Sequence, residues 1–456
     1  MKNYLMLASA SLLFIAACDQ QTAQTDRAEA SSSTSELPKD AWLADFAAMQ
    51  RLDELAEDAE NAEKHAEAGA YYEQALILSD RIPSPTGIVY GPSAAVGYMK
   101  AGRPDDALRL LEAAAERGWL YANSIEAADE FEPLRSHDRF ASVIAKMREN
   151  EDAFYQSHRD AGKAKLIFED VARFWDAYDL AAEEKSKRKK AAIFRKHYLA
   201  PGTPGLIDYH RIKTNSMEEL VERLDNSAGY YDGIRERTLQ ASQFEDRIRE
   251  GLSRIVELYP AASVPDVTFV IGRLNSGGTA GPTGMLIGLD VWSWEEGVPL
   301  DGISEGFQKV VKNLDLDALP FIVVHEHIHA LQQYSGEPSV LLVALQEGSA
   351  DFLAGLALPE SDKPHYYKWG MAREEMIWRR FSEEMDTDNI SNWSGNNGLV
   401  EDENWYADLG YFVGARICEA YYEQAEDKRQ AIEDLLFISD PAAILEASGY
   451  AARFRG

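Results

Sequence analysis

Phe321-Ile-Val-Val-His-Glu-His-Ile-His-Ala-Leu331 places three of the chain's nine histidines and a glutamate within five positions of an otherwise apolar stretch. Val323, Val324, Ile328 and Leu331 give the periodicity of a buried helix. Burying so many polar groups without a purpose would cost several kcal/mol, about 1–3 for each unpaired one. His325 and His329 are four apart, so a 3.6-residue helix sets both imidazoles on one side, a turn from each other, where they can bind one ion together. Glu326 falls beside that ion rather than on it, the position from which a carboxylate takes a proton from metal-bound water as general base. His327 points elsewhere on the helix and reads as a core or rim histidine.

A turn at Ser335-Gly-Glu-Pro338 leads into a second apolar helix, Ser339 to Leu358, whose Glu347 and Asp351 again stand at i and i+4. Two carboxylates in such a helix require partners, and one cation explains both. Here the sequence resembles the gluzincin peptidases, in which a helix carrying His-Glu-x-x-His is followed by one carrying a Glu ligand and, four residues on, an Asp. The resemblance implies Glu347 as third ligand of a Zn2+ ion and Asp351 as the partner that orients His325. Glu337 and Glu360 are the substitutes for the third ligand.

Upstream, Val267 to Leu274 and Met285 to Trp292 are β-branched runs on either side of Asn275-Ser-Gly-Gly-Thr-Ala-Gly-Pro-Thr-Gly284, a strand pair with a glycine-rich loop. In a zincin fold that loop, with Gly277 and Gly278, forms the wall along which an extended substrate lies; an ordinary flexible hairpin loop is the competing reading. Downstream, Trp405 to Gln424 reads as a helix in which Gly410 and Gly414 permit close approach. Its Tyr411, and after it Tyr406, is the candidate to stabilise an oxyanion, with core packing as the alternative role. Phe168 to Gly456 as a whole resembles the bacterial predicted zinc-dependent proteases exported as lipoproteins, through Ser276-Gly-Gly-Thr279, His325-Glu-His-Ile-His329, Glu347-Gly-Ser-Ala-Asp351 and Gly410-Tyr-Phe-Val-Gly414.

The other end of the chain concerns its address. Residues 1–17 combine Lys2 with an apolar run too short to span a bilayer with ordinary flanks, an export signal. Ile15-Ala-Ala-Cys18 looks like a lipobox, making Cys18 the lipidation site and the anchor to a membrane facing the periplasm or exterior. Residues 18–40, rich in Gln, Ser, Thr and Ala, form a disordered tether. Residues 41–150 are helical, broken near Pro83–Pro92, Gly102–Pro104 and Gly118. Ala95, Tyr98, Gly102, Ala107, Leu111 and Ala114 fit the spacing of a tetratricopeptide (TPR) unit, read either as a helical spacer or as a surface for a protein partner.

At 456 residues with 45% apolar content the chain is long and apolar enough for two folded domains. A net charge of −31, relieved only by the run Lys185 to Lys190, excludes nucleic acid as a partner. Cys418, the second of two cysteines, reads as a buried structural thiol. The expected fold is mainly α with an α+β part: TPR-like repeats at 41–150, then a zincin-like metallopeptidase domain at 163–456. The expected function is zinc-dependent hydrolysis of a peptide or protein substrate. Its rivals are a repeat-based scaffold or chaperone with a non-catalytic zinc site and a hydrolase of a non-peptide amide.

Overall fold

A computed structural model describes residues 40–334, 338–361, 364–396 and 405–454. The signal, the Cys18 site, nearly all of the tether, the first three residues of the turn at 335–338 and Glu337 lie outside the described residues. The chain is mainly helical with a small sheet, and it divides into two compact units.

Among the described residues, the first unit comprises 40–151 and 176–217. Helices α1 (Trp42–Asn61), α2 (His65–Ser79), α3 (Tyr90–Lys100) and α4 (Pro104–Glu116) pack in succession. Ala95, Ala107 and Ala114, picked out by their spacing, are wholly buried at these contacts, and so are Ala68 and Ala75. Gly97 lies against the backbone of Gly69, where a methyl group would come within 2.8 Å of its nitrogen. Gly102 and Gly118 take positive φ of 70° and 94°, ending α3 and α4 as glycine permits.

Residues 176–217 pack with this unit rather than with the rest of the C-terminal chain. The short helix α5 (Pro204–Tyr209) brings Asp208 to Thr86, whose hydroxyl donates to it at 2.8 Å while accepting from Arg211 at 2.6 Å. His210 packs on Phe46, ring centroids 5.5 Å apart. A buried hydroxyl between a carboxylate and a guanidinium satisfies all three groups, and no local sequence pattern announces it.

Among the described residues, the second unit comprises 152–175 and those from 218 to 454. Its sheet has strands β1 (Leu166–Ile167), β2 (Val267–Val270), β3 (Gly278–Gly281) and β4 (Gly284–Gly288) in the order β1-β2-β4-β3. Here the expected strand pair is revised. The two apolar runs pair parallel, Val267 opposite Met285, while the glycine-rich stretch between them is itself an edge strand, antiparallel to β4. A tight turn at Pro282-Thr283 with Gly284 at φ 113° closes that hairpin, and the second run leaves the sheet at Leu289 to form a short helix.

α7 (Leu319–Leu331) packs on β3 and β4, and α6 (Glu245–Leu258) and α8 (Val340–Ala357) pack against it. Pro320 starts α7, where its missing N–H costs nothing, and Ser339 caps α8, its hydroxyl accepting from Leu342 N at 3.1 Å. α9 (His365–Met371) and a helix at Glu374–Glu384 precede α10 (Leu409–Gln424), which is shorter than the expected helix from Trp405, because Asp408 at φ 56° turns the chain immediately before it. α8 and α10 cross closely at Gly348 and Gly414, over a core that includes Trp393, Phe412, Ile417 and Tyr450. Cys418 is buried there, and burial holds its thiol well above the usual range.

Candidate metal centre

α7 delivers His325 and His329 to one side, ring centroids 4.6 Å apart and nearly perpendicular. Their Nε2 atoms are 3.0 Å from each other. From α8, Glu347 Oε2 stands 3.1 Å from His329 Nε2 and 3.7 Å from His325 Nε2. Three donors at about 2.0–2.1 Å from a tetrahedral zinc ion would be spaced by about 3.3 Å, a value these separations bracket.

What lies behind the rings decides what faces inward. His325 Nδ1 is 2.9 Å from Asp351 Oδ1, and His329 Nδ1 is 2.8 Å from Gln332 Oε1. Both partners accept, so each Nδ1 carries a hydrogen, and in its neutral form each ring turns a bare Nε2 lone pair toward the other and toward a carboxylate. Such a convergence is repulsive until a cation or a proton occupies it. Burial works to lower the pKa of His325, but hydrogen bonds with Asp351 and Glu347 outweigh it and raise it to about 10. Burial likewise opposes ionisation of Glu347, and the two histidines overcome it and hold the carboxyl well below its ordinary range. The residues therefore fit a divalent metal ion, which competes with protons for the same three atoms.

Glu326 is buried, 6% exposed, and is not one of the three converging donors. The edge strand lies directly on it: a methyl group on Gly278 would come within 2.9 Å of Glu326 Cδ. Gly277, expected to share that wall, packs on Trp292 instead, whose indole N–H donates to its carbonyl at 2.9 Å. Tyr411 does reach the centre. Its ring stacks on His325 with centroids 6.2 Å apart, and its hydroxyl bonds to Glu347. Tyr406 packs on Trp369, and Glu360 is exposed beyond the end of α8. His327 is a core residue: its Nε2 donates to Ser263 O at 2.6 Å, and burial lowers its pKa to about 4.

Two participants carry no signature of their own. Tyr366 on α9 donates its hydroxyl to Asp351 Oδ2, a contact between residues brought together only by the fold. Gln332 lies three residues after His329, so helical spacing placed it within reach, but a glutamine at a helix end is too common a feature to single out.

The family of gliding motility protein GldB, a lipoprotein family, matches residues 166–452. The chain belongs to this family. That finding corrects the resemblance to predicted zinc-dependent proteases, and with it the assignment of peptide hydrolysis and its rivals: the matched family is one of gliding motility, not of proteases. No curated protein and no solved structure matches the chain.

Proposed function

We propose that the chain is a cell-envelope lipoprotein serving a gliding-motility type of assembly, and that its C-terminal unit holds one divalent ion, zinc by its donor set, on His325, His329 and Glu347. The family match supports the first part. The second rests on one observation, two imidazole nitrogens and a carboxylate oxygen turned toward one point with their outer faces already bonded. When bound, the ion supplies Lewis acidity and a fixed positive charge. Asp351 and Gln332 hold the rings, and Tyr411 steadies Glu347. Among the described residues no fourth His, Cys, Asp or Glu joins the three. Glu326 stands beside them as a buried carboxylate outside the ligand set. In the first unit, the stacked α1–α4 helices form a TPR-like array that presents a surface to a protein partner of the assembly.

Metal analysis of the purified full chain tests the centre. About one zinc per chain is expected, lost in His325→Ala, His329→Ala and Glu347→Ala and retained in Glu326→Gln. Full zinc in all three alanine variants would overturn the ligand assignment.

A further inference from the structure

Gln332 ends α7 with φ −68° and ψ 140°, its backbone N–H still bonded to Ile328 O at 3.0 Å while its side chain folds back along the helix. Its amide makes three contacts: Oε1 with His329 Nδ1 at 2.8 Å, and Nε2 with Gln346 O at 2.7 Å and Ser349 Oγ at 2.8 Å. A glutamine amide can in principle be turned either way, and the network fixes which. Gln346 O is a carbonyl and can only accept. The Ser349 hydroxyl spends its hydrogen on that same carbonyl, at 3.2 Å, so toward Gln332 it too accepts. Both amide hydrogens are therefore committed to α8, and Oε1 must be the atom facing His329. An amide oxygen opposite Nδ1 requires Nδ1–H, so in the neutral ring that binds a metal Nε2 is the bare nitrogen, on the Glu347 side.

We propose that Gln332 is a positioning residue that sets the tautomer and orientation of His329 from outside the ligand set, using acceptors on the helix that also carries Glu347. The inference rests on the metal-centre reading above. Because Gln332 bridges α7 to α8 at Gln346 and Ser349, one side chain ties the two ligand-bearing helices together at the level of the ion. His325 receives the equivalent support from a carboxylate, Asp351, whereas His329 receives it from a neutral amide. The pair of rings is thus held without a further negative charge in a pocket that already contains three carboxylates.

The test uses the full chain and zinc alone as the probe. Zinc dissociation constants, measured by competition with a chelator, are compared for wild type, Gln332→Leu and Gln332→Glu, and the His329 Nδ1 proton is followed by nitrogen-correlated NMR of the zinc-loaded protein. Leucine removes the acceptor; about a ten- to hundredfold weaker affinity and loss of the slowly exchanging Nδ1 proton are expected. Glutamate restores an acceptor and should recover much of the affinity and the proton signal, which a merely structural contribution would not do. Equal zinc affinity in wild type and Gln332→Leu, with the Nδ1 proton unchanged, would overturn the proposal. Failure of the wild type to bind zinc would instead overturn the metal reading itself.

Discussion

Single residues in this chain are decided by how their polar atoms are paired. Asp290 is wholly buried and accepts backbone N–H groups from Gly272 at 2.9 Å and Leu274 at 2.7 Å. Burial nevertheless raises its pKa from 3.8 to about 6, against the opposing pull of those two bonds. The fold therefore prefers the protonated carboxyl. Its stabilising contribution is complete below about pH 4, is lost as pH rises to about 6, and is constant above that, a span of about 3 kcal/mol. Asp290→Asn abolishes this titration. Urea unfolding from pH 4 to 7 should show wild type losing stability relative to the variant across that window, and a pH-independent difference would contradict the assignment. The site residues obey the same rule. His325, Glu326, Glu347 and Asp351 were legible in the sequence because each lies one helical turn from another or in a run too apolar to hold it idly. Tyr366 was not, since nothing near it in the chain refers to Asp351.

Helices bring these residues together only because two of them approach without side chains between them. At the α8–α10 crossing, a methyl group on Gly414 would run into the carbonyl oxygen of Ala344, and one on Gly348 into the Gly414 backbone. The close approach sets Tyr411 on His325 and Glu347. Gly414→Ala must push α10 outward, so a loss of about 3 kcal/mol in unfolding free energy and weaker zinc retention are expected together. Unchanged stability in urea would show that the crossing tolerates a methyl group. The sheet makes a similar point at a different contact. The glycine-rich stretch was identifiable as special, but its identity as an edge strand, rather than a loop, comes from pairing with β4 and from lying on Glu326, whose carboxylate a Cβ at Gly278 would displace.

For the whole molecule, the family and the sequence before residue 40 point the same way. Ile15-Ala-Ala-Cys18 predicts acylation, and Cys18→Ser should move the chain from the membrane fraction to the soluble fraction in a flotation experiment; an unchanged distribution would mean that another feature anchors it. The sequence by itself determined the mainly helical character and the two apolar helices that carry His325, His329 and Glu347, whose polar atoms converge. Those features follow from periodicities of a few residues, which act within one or two turns of chain. Only the tertiary structure decided that 176–217 belongs with the first unit, that Gly278 rather than Gly277 covers Glu326, and that Tyr366 supports Asp351. Each of those contacts joins residues distant in sequence or selects between neighbours, and its energy arises from packing and hydrogen-bond pairing that do not exist until the chain has closed on itself.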